Sequence, residues 1–169
     1  MNKILLTSAM ALVSATVAAS PALAAPGNTA TATGTATAVI VAPITLNHPA
    51  TAALGFGRFT TGLGGSVVVS SAGVGSVTGE VTLVPGSTNS ADSFTVAGDA
   101  SRSFSIATTG GNVTSGATSM PFTTAASATT LSLSTTGAAN FTVGGTLTVS
   151  GTAPAGSYTG SYTATVTYN

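Results

Sequence analysis

Residues 157–169 read Ser157-Tyr158-Thr159-Gly160-Ser161-Tyr162-Thr163-Ala164-Thr165-Val166-Thr167-Tyr168-Asn169, and this stretch decides the fold. The even-numbered positions from 158 to 168 carry tyrosine, glycine, alanine and valine, and the odd-numbered positions from 157 to 167 carry serine and threonine. Successive side chains of a β-strand point to opposite faces, so this alternation predicts a strand with one apolar face. All 3 tyrosines of the chain lie on that face. The stretch is therefore expected to be a central strand of a β core.

The rest of the chain shows the same kind of pattern in shorter pieces. Helical periodicity is confined to the first 24 residues, and short alternating segments follow, separated by glycine, proline and aspartate turn signals. Many short strands with turns every eight to twelve residues or so are typical of an antiparallel sandwich or a small barrel. The sequence predicts an all-β fold, and of these arrangements an immunoglobulin-like antiparallel β-sandwich is preferred.

Four local features are expected within this fold. Residues 29–42 alternate threonine with small apolar residues and predict a long strand, polar on one side at first and buried on both near its end. Residues 93–98 and 103–108 predict a hairpin with their apolar positions in phase. Proline within residues 120–124 predicts an edge strand, and the paired glycines 144–145 predict a bulge.

The first 24 residues predict a secretory signal peptide. Met1-Asn2-Lys3 is a short positive start, residues 4–19 are apolar, and small residues end the segment at Ala24. Cleavage after Ala24 would leave a single domain at residues 25–169. The chain is thus expected to be exported, to the periplasm, the cell surface or the extracellular space, with no transmembrane segment after cleavage.

Charge is scarce in this chain. Charged residues make up 4% of the sequence, whereas about a quarter is usual for a soluble domain. Such a chain offers no electrostatic basis for binding nucleic acid. A nearly uncharged surface of threonine, serine, glycine and alanine suits packing against copies of the same chain, and it equally suits a solvated secreted strand protein. The sequence has no cysteine, so no disulfide, thiol catalysis or cysteine metal site is expected.

Residues suited to catalysis are few. His48 is the only histidine, and its position between Asn47 and Pro49 predicts a structural or exposed turn residue. Asp92 and Asp99 flank one predicted strand and would lie roughly 20 Å apart, too far for paired carboxylate chemistry. No group of three or four metal ligands is recognisable. The sequence therefore predicts no catalytic, cofactor-binding or metal-binding residues, and a protein that is not an enzyme.

Several motifs, in this order along the chain, carry a resemblance to a known family. They are Val39-Ile40-Val41-Ala42-Pro43-Ile44-Thr45-Leu46, then Leu54-Gly55-Phe56-Gly57, then Ser93-Phe94-Thr95-Val96-Ala97-Gly98, and finally residues 155–169. Together they resemble an uncharacterised family of secreted bacterial domains, domain of unknown function 4402, found mostly in Gram-negative bacteria. The resemblance covers essentially the whole chain after the signal peptide, and the ending is also similar to archaic, spore-coat-U-like chaperone–usher pilins.

The pilin resemblance implies a mechanism of assembly. In such pilins an immunoglobulin-like sandwich lacks one strand, which a periplasmic chaperone and then the N-terminal extension of the next subunit supply by strand addition. It implies self-association or related subunits as partners, together with a chaperone and an usher. Residues 25–42 would be the donor extension, although their side chains are small and the usual pilin disulfide is absent. The expected strand-exchange interface comprises Ala30, Ala32, Ala36, Ala38, Ile40, Tyr158, Tyr162, Val166 and Tyr168.

Two functions thus follow as expectations. The first is a secreted, non-enzymatic structural subunit of a pilus-like or other cell-surface assembly that polymerises by β-strand addition. The alternative is a self-contained periplasmic or extracellular binding module for a glycan or surface polymer, suggested by the threonine- and serine-rich surface.

Overall fold

The computed structural model describes residue 27 and residues 29–169. The predicted signal peptide, residues 1–24, lies outside the described residues. The chain divides into two units, Met1–Val39 and Ile40–Asn169. In the first unit the described residues form no helix or strand, and all of them are exposed.

The second unit is an all-β structure, as the alternating sequence predicts, with no helix among the described residues. Every strand pair in this part of the chain is antiparallel. The strands are β1 (Thr45–Asn47), β2 (Phe59–Thr60), β3 (Gly64–Val69), β4 (Gly75–Gly79), β5 (Thr82–Leu83), β6 (Asp92–Ala97), β7 (Ser103–Thr108), β8 (Gly111–Ser115), β9 (Thr118–Ala126), β10 (Thr130–Ser132), β11 (Ala138–Ser150), β12 (Thr159–Gly160) and β13 (Ala164–Tyr168).

The longest strand, β11, organises the largest sheet. The strand order is β1-β6-β11-β9-β8-β12, and β3 joins β11 while β4 joins β3. One edge of β11 pairs with β6 over its first half and with β3 over its second half, and the other edge pairs with β9. Phe141, Val143, Leu147 and Val149 alternate along β11 and are buried, because alternate side chains of a strand share one face.

The bulge predicted at Gly144 and Gly145 is absent. The alternation of buried residues continues through both glycines, and the pairing of β11 with β9 keeps one register across them. Gly144 lies where the neighbour of β11 changes from β6 to β3, and an added Cβ would clash with the carbonyl oxygen of Val69. Close backbone approach, rather than an extra residue in the strand, requires glycine there.

The terminal stretch forms two strands instead of the one predicted. β12 pairs with β8 in the large sheet, whereas β13 pairs with β7 in a three-stranded sheet of order β10-β7-β13. The chain passes from one sheet to the other at residues 161–163. The predicted alternation is retained, since Tyr158, Tyr162 and Tyr168 are half-buried and the threonines between them are exposed.

The predicted hairpin of residues 93–98 and 103–108 is wrong in its pairing. These residues form β6 and β7, which belong to different sheets and do not pair with each other. Phe94 and Val96 nevertheless pack in one core cluster with Phe104 and Ile106, because the two sheets share that cluster. The in-phase apolar pattern thus reflects contact between sheets rather than a ladder within one.

Two other strand predictions also fail. Residues 29–42 form no strand, and Val39 and Ile40 are 88% and 97% exposed instead of buried, since no neighbouring strand of the described chain pairs with them. Residues 120–124 belong to β9, which lies inside the large sheet rather than at its edge. Pro121 is tolerated because β9 pairs there with β8 alone, so its missing N–H costs no bond to β11.

The core consists of two clusters of buried apolar side chains. Burial of one such side chain stabilises the fold by about 1.5–3 kcal/mol. The half-buried ring of Tyr162 packs against both clusters. The first core cluster comprises Val67, Val81, Val113, Met120, Phe122, Leu147 and Val149. The second core cluster comprises Phe94, Val96, Phe104, Ile106, Leu133, Phe141 and Val143.

Candidate functional site

A cavity of about 960 Å³, called the groove below, lies beside the first core cluster. Residues 53–61 and residues 153–160 line it together with Tyr162, and the large sheet contributes Val113, Met120, Phe122 and Leu147. Its volume is at the upper end of the range for ligand pockets, roughly 300–1,000 Å³. The groove is therefore large enough for an extended piece of polypeptide or a ligand of similar bulk.

Residues 53–61 form one wall of the groove, and hydrogen bonds hold this wall in place. The backbones of Gly55 and Ser90 exchange two hydrogen bonds of 2.9 and 3.0 Å. The Asn89 side chain donates a bond of 2.7 Å to the carbonyl oxygen of Phe56. A Cβ added to Gly145 would lie 3.0 Å from Leu54, so the glycine in β11 leaves the space that the Leu54 side chain uses.

Residues 153–160 form a second wall of the groove. The Tyr158 hydroxyl donates a bond of 2.8 Å to the carbonyl oxygen of Pro154, which ties the turn to the start of β12. A Cβ added to Gly160 would clash with the carbonyl oxygen of Asn112, so only glycine allows β12 to approach β8 this closely. Gly160 and Tyr158 thus shape this wall.

Both walls carry strands with an unpaired edge. Within residues 29–169, β2 has β5 as its only partner and β12 has β8 as its only partner. Each of these short strands contributes residues to the groove lining. An unpaired strand edge presents N–H and C=O groups that can accept a further strand. The groove therefore combines apolar side chains with unused backbone pairing capacity.

Tyr162 connects the groove to a buried carboxylate. Its hydroxyl donates a hydrogen bond of 2.7 Å to Oδ2 of Asp92, which is 3% exposed. Oδ1 of Asp92 accepts bonds from the Ser93 N–H at 2.8 Å and from Nε2 of His48 at 2.7 Å. The His48 ring packs on Phe94 with centroids 4.8 Å apart. Buried charge is costly unless it is hydrogen-bonded, and these three donors satisfy it.

Ionisation of Tyr162 is suppressed. Burial of the ring, followed by the hydrogen bond to Asp92 and the negative charge of that carboxylate, raises the pKa of the phenol well above its ordinary value of about 10. The hydroxyl therefore remains a hydrogen-bond donor at physiological pH, and Tyr162 keeps its position in the groove lining.

The sequence prediction for His48 missed this contact. His48 does lie in a loop with its side chain 44% exposed, but it pairs with Asp92, whose position in the sequence predicts only that it lies at a strand end. The sequence did contain a signal for this contact. Asp92 precedes Phe94 by two residues and Val96 by four, so its side chain lies on the same inward face of β6. An inward carboxylate needs donors, and in the structure His48 and Tyr162 supply two of them.

The residues predicted for strand exchange separate into three places. Tyr158 and Tyr162 line the groove. Val166 and Tyr168 lie in β13 and pack against the second core cluster instead, and the Tyr168 hydroxyl donates a bond of 3.0 Å to the carbonyl oxygen of Ala42. The remaining members are exposed and outside any strand: Ala30, Ala32, Ala36, Ala38 and Ile40.

Neither a metal centre nor a membrane-spanning helix is found in the described part of the chain. Among those residues no group of three or more histidine, cysteine, aspartate or glutamate side chains could hold a metal ion. No helix among them is long and apolar enough to cross a membrane.

Comparison with known proteins identifies a family. The family model described as Domain of unknown function (DUF4402) matches residues 44–168, which is most of the chain, and the chain therefore belongs to that family. No curated protein and no solved structure matches the chain.

Proposed function

We propose that this member of the DUF4402 family is an exported, non-enzymatic structural subunit that assembles by β-strand addition into a pilus-like or other cell-surface polymer. The observation that carries the proposal is the groove, which joins apolar side chains to strand edges that have no partner among the described residues. A strand laid into such a site pairs its backbone with a free edge and buries alternate side chains against the groove.

The exposed segment before residue 44 supports the same function. Residues 29–42 have the alternating pattern of a strand, yet they form none in a single chain. The family match begins at residue 44, so the segment precedes the matched domain. In this proposal the domain is an immunoglobulin-like sandwich that lacks one strand, and the segment of a neighbouring subunit supplies it.

Export and assembly partners complete the proposal. The predicted signal peptide would deliver the chain to the periplasm, where an unfilled groove would expose apolar surface. A periplasmic chaperone would cover the groove by the same strand addition until an usher passes the subunit to the next one. The near absence of charge favours close packing of many copies, because little charge repulsion opposes it.

The proposal is tested with purified chain beginning at residue 25 and with a variant that also lacks residues 25–38. Light scattering over a range of concentrations measures assembly, and circular dichroism measures folding. We expect the longer chain to form oligomers and the shorter chain to keep its β-sheet spectrum while assembling less. If the longer chain stays monomeric at every concentration and the deletion changes neither folding nor assembly, the proposal is wrong. Glycan binding by that monomer would then support a binding module instead.

A further inference from the structure

We infer that the occupant of the groove is residues 30–42 of a second copy of this chain, inserted with its alanine-bearing face inward and anchored by Ile40. The inference rests on the proposed function and adds to it the face that enters, the residue that fixes the register and the identity of the partner.

The segment has unused binding capacity. The backbone of residues 29–41 takes part in none of the hydrogen bonds found among the described residues. Val39 and Ile40 are adjacent, aliphatic, and 88% and 97% exposed. Exposed aliphatic side chains beside unpaired backbone groups indicate a segment that gains free energy by joining a sheet.

Only one face of this segment is apolar along its whole length. In an extended chain, alternate side chains point the same way. The even-numbered positions carry small apolar residues and end at Ile40, whereas the odd-numbered positions carry threonine until Val39 and Val41. A strand that buries the even face places its threonines towards solvent, so the even face is the one that suits the groove.

Small donor side chains match the lining of the groove. Phe56, Phe59 and Tyr158 already line the groove with large rings, which pack against the first core cluster. A donor that carried further large side chains at every second position would compete with these rings for space, whereas alanine lets the inserted backbone lie close to them. Ile40 is the one large side chain on the even face before Ala42, so it fixes the register, because a slip of two residues would move it out of its place.

The position of Ala42 favours a second copy over the chain's own groove. The carbonyl oxygen of Ala42 accepts a hydrogen bond of 3.0 Å from Tyr168 in β13. Tyr168 follows Tyr162, which lines the groove, by six residues, or about 20 Å of extended chain. Ala42 therefore lies by the end of β13 and outside the groove lining, and a neighbouring subunit is the more direct acceptor.

The test compares Ile40→Ser with Val39→Ser in the chain that begins at residue 25. The two positions are adjacent and similarly exposed, but they lie on opposite faces of an extended segment, so Val39→Ser is a matched control. We expect Ile40→Ser to weaken self-association at least 10-fold and Val39→Ser to change it less than about threefold, on the basis of the free energy of burying one aliphatic side chain. Sedimentation equilibrium measures association, and thermal denaturation checks that both variants fold.

Each outcome has a defined meaning. The inference is overturned if the unsubstituted chain assembles but the two variants self-associate equally well, or if Val39→Ser self-associates more weakly than Ile40→Ser. Strand addition would still stand in that case. If Ile40→Ser instead lowers the melting temperature of a monomer independently of concentration, the segment fills its own groove and the second copy is excluded. If the unsubstituted chain never assembles and neither variant alters it, the proposed function fails and the inference fails with it.

Discussion

The hydroxyl of Tyr162 lies 2.7 Å from Oδ2 of Asp92, a residue 70 positions earlier in the chain. The Tyr162 ring makes edge-on contacts with Phe94 of the second core cluster and with Phe122 of the first, each at a centroid distance of 6.3 Å. One side chain therefore lines the groove, joins both parts of the core and supplies a buried carboxylate with a donor. Substitutions around it measure what each of these contacts contributes to stability.

Replacing Tyr162 with phenylalanine removes one of the three hydrogen bonds to Asp92 while keeping the ring. We expect the free energy of unfolding to fall by about 1–3 kcal/mol, because a buried charged acceptor loses a donor. Tyr158→Phe is the control, since it loses a bond to a carbonyl oxygen at an exposed turn and should cost less than about 1 kcal/mol. Urea denaturation measures both, and equal stability of Tyr162→Phe and the unsubstituted chain would contradict the prediction.

Asp92→Asn tests whether the buried carboxylate needs its charge. Three donors converge on Asp92, and an amide presents its own N–H₂ group to at least one of them. We expect a loss of about 1–3 kcal/mol.

Asp99→Asn is the matched control for this substitution. Asp99 pairs with Arg102 at 3.1 Å, but both side chains are more than a third exposed, so solvent screens the pair and its loss should cost less than about 1 kcal/mol. Equal losses for the two variants, measured by thermal denaturation, would show that the burial of Asp92 has no energetic consequence.

Stability should decline at alkaline pH because of Tyr162. Folding raises the pKa of its phenol, so the unfolded chain releases this proton first. The contribution of Tyr162 to the free energy of unfolding is therefore fully present below about pH 10 and is lost as the pH rises above that value. The slope stays below the limit of about 1.4 kcal/mol per pH unit, since the half-buried ring is partly screened by water. Unfolding measured from about pH 8 to about pH 11 should show a shallower decline for Tyr162→Phe; parallel curves would refute the assignment.

Gly144→Ala should destabilise the large sheet. The added methyl group would clash with the backbone of Val69 and Ser70, so β11 and β3 would have to separate locally, at a cost of about 1–3 kcal/mol. Gly34→Ala is the control, because open space surrounds that position. Chemical denaturation compares the two, and a neutral Gly144→Ala would mean that the strands tolerate a wider spacing than the structure indicates.

Much of the fold could be predicted because local alternation reports directly on strands. The half-buried positions of residues 157–169 agree with their sequence pattern, and the all-β, antiparallel structure follows from many such segments. Strand pairing was less predictable, because the alternation of apolar and polar residues indicates which face of a strand is buried but not which strand pairs with it. Phe94 and Phe104 were wrongly predicted to lie in one hairpin, and the structure shows that they instead meet in a core cluster shared by two sheets.

The candidate site shows the same division. Tyr158 and Tyr162 both line the groove, and their part in a strand-exchange interface stays a prediction. The wall formed by residues 53–61 was not foreseen, since its position depends on hydrogen bonds to Asn89 and Ser90 far along the chain. The partnership of His48 with Asp92 was missed for a related reason, because it joins residues 44 positions apart in the sequence.

By itself the sequence determined the class of fold, the apolar face of the terminal stretch and the scarcity of charge, because each is a property of neighbouring residues. Only the tertiary structure decided that the terminal stretch divides between two sheets, that Tyr162 reaches Asp92, and that residues 29–42 lie exposed rather than paired. Those features depend on which distant strands become neighbours, and that choice arises from packing the whole chain at once.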